Sequence, residues 1–202
     1  MKIRDNHKGE TCVVIANGPS LADVPNEFLE SYITFGVNKI WLKEFSPTYY
    51  VATDNWMNPY IRQMKEMHCR EYFIGPMFYQ QLGGAQVISS VLRDTPEDQW
   101  KKPGERNWTV IYTCLMIAHI MGFETVLLVG LDHTGSTTHF HPAYNQWGAK
   151  RTYLWNEDGA NNSFQLAQDA YEKSGRRIIN LTPGSKCTVF EKEDIGLWQT
   201  HI

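Results

Sequence analysis

The sequence lacks the features of nucleic-acid-binding and membrane-spanning proteins. Its 202 residues carry a net charge of -3, and no long run of lysine or arginine offers a surface for phosphate backbones. No apolar run reaches the roughly 18 residues that a transmembrane helix needs. The polar first residues lack the apolar core of a signal peptide. We therefore expect a cytoplasmic protein with no nucleic-acid partner and no transmembrane segment.

The sequence also lacks a cysteine framework, internal repeats and low-complexity segments. Its four cysteines lie far apart and include no Cys-x-x-Cys pair, which argues against a zinc site. Cys12 and Cys114 fall within apolar segments, so we expect them to be reduced and buried. The length suits a single nucleotide-binding α/β domain over residues 1–202.

The most informative stretch is an apolar run over residues 11–16 that ends abruptly at Asn17-Gly18-Pro19-Ser20. Gly18 permits a tight or left-handed backbone and lets a ligand approach the main chain closely. Ser20 can cap the helix-like segment that follows. Ligands of open α/β sheets bind outside the carboxyl ends of strands. The pattern therefore indicates either a nucleotide-binding turn or a plain strand-to-helix turn.

Three later apolar, β-branched runs also end in polar residues. These residues are Asn38, Asp54 and Asp132, the last preceded by Gly130. Because parallel strands bring their carboxyl ends to one edge of a sheet, we expect these side chains to converge with Asn17 on one site. The alternative is that Asn and Asp simply begin turns, as they often do.

The longest apolar segment, residues 107–123, predicts a helix that is buried on all sides and leads into a strand. This β-α-β progression predicts an α/β fold with a doubly wound, mainly parallel sheet and helices on both faces. We also expect a helix over residues 86–92. Residues 93–107 and 133–160 have little periodicity and are interpreted as lid-like segments.

Several motifs, taken in order, resemble one superfamily of α/β proteins. They are Val-Ile-Ala-Asn-Gly-Pro-Ser-Leu (14–21), Gly-Val-Asn (36–38), Pro-Thr-Tyr-Tyr-Val-Ala-Thr-Asp (47–54), Met-Gly-Phe-Glu-Thr-Val-Leu-Leu-Val-Gly-Leu-Asp (121–132) and Asn-Leu-Thr-Pro-Gly-Ser-Lys (180–186). The superfamily holds the bacterial sialyltransferases of glycosyltransferase family 42 and the 6-hydroxymethylpterin diphosphokinase MptE-like proteins. The resemblance implies a Rossmann-like sheet with one nucleotide site.

The sialyltransferase branch implies a cytidine monophosphate sugar as donor, a carbohydrate acceptor and no required cofactor. Its nucleotide-binding positions correspond to Asn17, Gly18, Ser20, Asn38, Asp54, Thr109, Gly130 and Asp132. Here Thr109 begins the long helix, beside the phosphate, although the family has Ser-Gly where this chain has Val110-Ile111. Tyr144 and Tyr153 are candidates for the tyrosines that the family places near the phosphate.

The sialyltransferases use a lid histidine as general base, shortly before the penultimate helix. The corresponding region near Asn156 and Glu157 holds no histidine. His139 and His141 lie earlier in the same stretch, and a histidine that titrates near neutral pH suits this role. We therefore predict His139 or His141 as the catalytic base of an inverting displacement.

The MptE-like branch implies instead a transfer of pyrophosphate from ATP to a pterin alcohol. It would require Mg²⁺, which Asp54 and Asp132 could hold. The long helix and its following strand resemble the sialyltransferases more closely, so glycosyl transfer is the preferred hypothesis.

Three further alternatives stay open from the residues themselves. Asp132, His133, His139 and His141 could form a metal cluster, although ordinary polar lid content is favoured. The chain could be a nucleotide-binding relative without catalysis, since fold does not settle activity. It could also be a structural subunit or an oligomer that uses an aromatic lid for a partner. The residues of that lid are Trp147, Tyr153 and Trp155.

Overall fold

A computed structural model of the chain describes residues 3–75, 82–87, 109–134, 138–145 and 157–199. Its described strands form one sheet in the order β5-β4-β3-β2-β1-β6-β7-β8. All neighbouring strands pair in parallel. The strands are β1 Thr11–Ile15, β2 Ile33–Val37, β3 Tyr49–Ala52, β4 Glu71–Ile74, β5 Gln86–Val87, β6 Thr125–Val129, β7 Arg177–Asn180 and β8 Glu191–Lys192.

Helices cover both faces of this sheet, which confirms the predicted doubly wound α/β fold. The α-helices are α1 Asn26–Glu30, α2 Ile61–Glu66, α3 Val110–Met121 and α4 Glu157–Lys173. Short 3₁₀ segments are Pro19–Asp23, Ile40–Lys43, Asn55–Tyr60, Pro142–Asn145 and Ile195–Trp198. In the parts of the chain that the structure describes, no helix combines the length and the apolar character required to cross a bilayer.

The alternation of side chains along β1 explains why the sheet is buried on both faces. Cys12 and Val14 pack into a core with α3 and α4, whereas Val13 and Ile15 pack into a second core with α1 and α2. Successive residues of a strand point to opposite faces, so a strand between two helix layers must be apolar throughout. Cys12 and Cys114 are buried and unpaired by disulfides, as predicted.

The direction in which the sheet grows reverses between β1 and β6. From β1 the chain builds β2 to β5 on one side, and it then returns to place β6 against the other side of β1. Such a reversal leaves a crevice outside the carboxyl ends of the two central strands, where open α/β sheets bind ligands.

The structure corrects one sequence-based prediction and leaves parts of others outside the described residues. The helix expected over residues 86–92 is wrong at its start, because Gln86–Val87 pairs with β4 as a strand. The lid-like segment 93–107 lies outside the described residues. Of the second lid-like segment, residues 133–134, 138–145 and 157–160 are described.

Candidate functional site

The turns that follow β1 and β6 pack backbone against backbone at the reversal point. The Gly18 N–H donates to the Gly130 carbonyl at 2.9 Å. A Cβ atom on Gly18 would lie 2.0 Å from Asp132 Oδ2 and 2.5 Å from the Gly130 oxygen. Gly18 has an ordinary φ of -69°, so the position requires glycine for space rather than for a left-handed backbone. Gly130 has a φ of 68°, and a Cβ there would lie 2.5 Å from the Ala16 oxygen.

Ser20 and Asp132 form the polar contact between the same two turns. The Ser20 N–H donates to both carboxylate oxygens of Asp132 at 3.2 Å. The Ser20 hydroxyl donates to Oδ2 at 2.8 Å. The prediction that Ser20 caps the following segment is wrong, because its side chain bonds Asp132 and makes no capping hydrogen bond.

A buried network after β7 holds the backbone next to Asp132. The Leu131 N–H donates to Thr182 Oγ1 at 2.9 Å, and the Leu131 carbonyl accepts from the Ser185 hydroxyl at 2.5 Å. Asn180 Nδ2 donates to Ser185 Oγ at 2.9 Å. Sequence reasoning quoted these residues in a motif but gave them no role. In the structure, Thr182 and Ser185 hold the backbone N–H and carbonyl groups of Leu131 in place.

Asn17 lies between the ends of β1 and β2 and is 8% exposed. Its Nδ2 donates to the Val37 carbonyl at 3.0 Å and to the Tyr144 hydroxyl at 3.1 Å. Its Oδ1 is buried and accepts no hydrogen bond from the described residues. The amide nitrogen therefore fixes the orientation of the side chain, and the oxygen has no donor among the described residues.

Asn38, at the end of β2, has a similar unused oxygen. Its Oδ1 is buried without a hydrogen-bond partner among the described residues, and its backbone has a φ of 49°. The Asn38 carbonyl accepts from the Tyr50 hydroxyl at 2.9 Å. Burial, aided by the nearby Tyr144, raises the pKa of Tyr50 well above its ordinary value. Tyr50 therefore stays protonated and remains a hydrogen-bond donor at neutral pH.

Lys39 is a residue of the crevice that sequence reasoning missed. It is 4% exposed, and its Nζ donates to the Tyr144 carbonyl at 2.5 Å. The same Nζ lies 4.4 Å from the ring centre of Tyr60, 5.3 Å from that of Tyr144 and 5.8 Å from that of Trp56. The signal in the sequence was a lysine directly after a strand-ending asparagine, where the chain is otherwise apolar.

Residues 138–145 contact the crevice through Phe140 and Tyr144. The Phe140 N–H donates to the Asn17 carbonyl at 3.2 Å. The His139 ring stacks on Tyr144, with ring centres 3.8 Å apart and planes 9° apart. His141 Nδ1 accepts from the Ala143 N–H at 3.1 Å. The predicted stand-in Tyr144 is thus in contact with Asn17, whereas Tyr153 lies outside the described residues.

The remaining predicted residues take more separate positions. Asp54 follows β3 and accepts from Trp56 Nε1 at 3.2 Å. Thr109 begins α3 and its Oγ1 accepts from the Ile111 N–H at 3.2 Å, so this side chain caps its own helix. His133 is buried against Phe164, with ring centres 5.6 Å apart.

The structure keeps the two predicted Mg²⁺ ligands, Asp54 and Asp132, apart from each other. Asp54 and Asp132 follow β3 and β6, which are three strand spacings apart, or about 14 Å at about 4.8 Å per spacing. One Mg²⁺ ion bound by either carboxylate would therefore take its other ligands from phosphate or water. Within the described ranges, no three His, Cys, Asp or Glu side chains come together as a metal cluster.

No protein-family model matches this sequence, and no curated protein matches it. Solved structures do share its fold. One is the sialyltransferase CstII from Campylobacter jejuni in complex with a substrate analogue, cytidine-5'-monophosphate. It has a TM-score of 0.64 and 14% sequence identity, over 92% of this chain and 85% of that chain. Another is the sialyltransferase CST-II in complex with a trisaccharide acceptor and CMP, with a TM-score of 0.63 and 12% identity, over 91% of this chain and 85% of that chain.

Proposed function

We propose that this chain is a glycosyltransferase that binds a cytidine monophosphate sugar in the crevice between β1 and β6. The observation that carries the proposal is the convergence of Asn17, Gly18, Ser20 and Asp132 at the reversal point of the sheet. Nucleotides bind at this place in open α/β sheets. The likeness in fold to sialyltransferases that were solved with CMP supports the same choice.

In this proposal the unused amide oxygens of Asn17 and Asn38 recognise the nucleoside. A buried acceptor without a hydrogen bond costs free energy, so its retention needs a reason. The ribose hydroxyls and the exocyclic amine of cytosine are donors of the kind that these oxygens lack. The orientation of Asn17 is already fixed by Val37 and Tyr144, which makes its oxygen a preorganised acceptor.

The reaction would be a direct displacement at the anomeric carbon of the sugar. The acceptor hydroxyl gives its proton to a histidine and forms the new carbon–oxygen bond. The bond between the anomeric carbon and the phosphate breaks, and its electron pair leaves with CMP. The anomeric configuration inverts, because the hydroxyl attacks from the side opposite the leaving group.

The hydrogen bonds favour His139 over His141 as the base. His141 Nδ1 accepts from the Ala143 N–H, so its neutral ring carries the proton on Nε2 and presents a donor rather than a base. His139 stacks on Tyr144, whose hydroxyl accepts from Asn17. His139 therefore packs on the residue that is hydrogen-bonded to Asn17, a proposed nucleotide contact.

One observation keeps the ATP-dependent diphosphokinase as a second candidate. The Asp54 carboxylate accepts one hydrogen bond, from Trp56, among the described residues, so it retains oxygen lone pairs for a cation. Mg²⁺ is commonly held by one or two carboxylates together with nucleotide phosphates. In that case Asp54 would hold the ion, which would neutralise phosphate charge.

A thermal-shift screen of CMP, CDP, UDP, GDP and ATP, each with and without Mg²⁺, tests the proposal. We expect stabilisation by CMP that does not depend on the metal, because a bound ligand stabilises the folded state in proportion to its affinity. Stabilisation by ATP only with Mg²⁺ would favour the diphosphokinase instead. A chain that responds to none of these nucleotides contradicts both candidates.

A second experiment separates catalysis from binding alone. We expect wild-type protein to release CMP from CMP-sialic acid in the presence of a trisaccharide acceptor, and His139→Ala to lose this release while it still binds CMP. His141→Ala should retain most of the activity and is the matched control. If wild type binds CMP but releases none from the donor, the chain is a nucleotide-binding relative without this activity.

A further inference from the structure

Lys39 is a buried cation that no carboxylate neutralises among the described residues. The ion pairs that the described residues form with one another join His7 with Glu10 and Arg62 with Glu66, and neither includes Lys39. Among the described residues, Lys39 Nζ has one oxygen acceptor, the Tyr144 carbonyl. An ammonium group carries three N–H donors, so two of them have no oxygen or nitrogen acceptor within that part of the chain.

Aromatic rings stabilise this cation only in part. A cation over a ring face gains less than a cation paired with a carboxylate in the same buried place, and the ring of Tyr60 is the nearest of the three at 4.4 Å. Buried charges in proteins are otherwise paired with an opposite charge. The aromatic rings keep Nζ at a fixed place without consuming its hydrogen bonds, an arrangement that leaves the cation ready for an anion.

Tyr144 indicates where that anion would bind. Its hydroxyl oxygen accepts from Asn17, and its carbonyl oxygen accepts from Lys39. Two oxygen atoms of one residue thus occupy two donors of the crevice at once. A phosphate oxygen of a nucleotide is an acceptor that could replace the Tyr144 carbonyl on Lys39, while the Tyr144 hydroxyl stays on Asn17. Neither of the two acidic residues at this edge, Asp54 and Asp132, forms an ion pair with Lys39 among the described residues.

We propose that Lys39 binds the phosphate of the nucleotide, whose oxygen takes the place of the Tyr144 carbonyl. This inference rests on the proposed nucleotide site and adds its anion-binding residue. It assigns the phosphate to the end of β2, whereas the resemblance to known transferases pointed to the start of α3. Binding would release residues 138–145 from one of their contacts with the crevice, the hydrogen bond from Lys39 to the Tyr144 carbonyl, while the contacts with Asn17 stay in place.

The test compares CMP with cytidine, which differ only in the phosphate, by calorimetry. We expect Lys39→Met to lower the ratio of CMP affinity to cytidine affinity by about 10- to 100-fold, the range for loss of one charge-assisted hydrogen bond. Lys39→Arg keeps the cation and should keep part of the ratio. Lys43→Met removes the same charge four residues later, where Nζ donates to the Ala22 carbonyl outside the crevice. This control should leave the ratio unchanged.

The outcomes separate this inference from the proposed function. If wild type binds neither CMP nor cytidine, and likewise neither ATP nor adenosine with Mg²⁺, the nucleotide site itself is wrong. If wild type binds CMP and the ratio in Lys39→Met stays within about twofold of wild type, the inference is overturned while the nucleotide site stands. An equal loss of CMP and cytidine affinity also overturns it, because Lys39 would then act only by holding residues 138–145. If ATP proves to be the ligand, ATP and adenosine replace CMP and cytidine.

A measurement on wild-type protein covers the case in which the Lys39 variants do not fold. The rings of Trp56, Tyr60 and Tyr144 should shift the NMR signals of the Lys39 side chain upfield. This shift would distinguish the Lys39 signals from the signals of the exposed lysines. We expect CMP to move these signals and cytidine to leave them near their original positions. Identical changes with both ligands would contradict the phosphate contact.

Discussion

The two sides of the crevice differ in how fully their polar atoms are hydrogen-bonded. The first, which we call the braced side, consists of residues 18–20, 130–132 and 180–185. There the polar groups of Leu131 and the carboxylate of Asp132 all have partners. The second, which we call the open side, consists of Asn17, Asn38 and Lys39. There two buried amide oxygens have no partner among the described residues.

This difference separates two tasks that one site must perform. A fully bonded buried network fixes geometry and stabilises the fold. A buried acceptor without a partner costs about 1–3 kcal/mol, which a ligand that supplies the partner would recover. Substitutions on the braced side should therefore lower stability most, and those on the open side should lower nucleotide affinity most.

Gly18→Ala on the braced side should have the largest effect. The added Cβ would lie 2.0 Å from Asp132 Oδ2 and 2.5 Å from the Gly130 carbonyl oxygen, so the two turns must separate. We expect a loss of about 3 kcal/mol or more, as for severe overpacking. That corresponds to a fall in Tm of roughly 6–12 °C for a chain of this size.

Gly83→Ala is the matched control for that variant. A Cβ on Gly83 would meet no atom within 4 Å, and its φ is not in the left-handed region. Its Tm should stay within roughly 2 °C of wild type. A Gly18→Ala protein as stable as this control would contradict the close approach of the two turns.

Ser185→Ala should have the second-largest effect on stability. It removes the donor to the Leu131 carbonyl and leaves Asn180 Nδ2 without its acceptor. Buried groups left unpaired cost about 1–3 kcal/mol, and chemical denaturation would measure the loss. Ser31→Ala, which removes a hydroxyl bonded to Phe28 at the exposed end of α1, is the comparison and should cost much less. Equal losses in the two variants would mean that the network does not brace the turn.

Much of the braced side could be predicted from the sequence, because it follows from strand endings. The apolar β-branched runs predicted β1, β2, β3 and β6, and parallel pairing then brings their polar ends to one edge. The pairing of Ser20 with Asp132 could not be predicted, since 112 residues separate them. Local patterns therefore favoured the short-range alternative, a cap, which is wrong.

The open side was harder to predict, because its decisive contacts come from a segment without periodicity. Lys39 and Tyr144 are 105 residues apart, and neither belongs to a pattern that fixes its partner. Sequence reasoning therefore missed Lys39 altogether. The short strand β5 was mistaken for a helix for a related reason. Two residues carry no period, and only pairing with β4 makes them a strand.

Asn17→Ala should have a small effect on stability and a large one on binding. The change removes two hydrogen bonds of Nδ2, but it also removes a buried oxygen that has no partner. We expect a net loss of about 1 kcal/mol or less, together with loss of detectable nucleotide binding in calorimetry. Near-UV circular dichroism would verify that the variant keeps its packing. Unchanged affinity would refute the assignment of Asn17 to the nucleotide site.

Asn38→Gly should have the smallest effect on stability, and it separates the side chain from the backbone. Asn38 has a φ of 49°, a conformation that glycine adopts without strain and that costs other residues about 1 kcal/mol. The glycine variant should therefore be as stable as wild type or slightly more stable, whereas Asn38→Ala should be less stable. Both variants lack the amide oxygen, so both should bind the nucleotide about tenfold more weakly, the effect of one hydrogen bond. If only the alanine variant loses affinity, the backbone of Asn38 matters to the ligand and its side chain does not, and the open side would then be limited to Asn17 and Lys39.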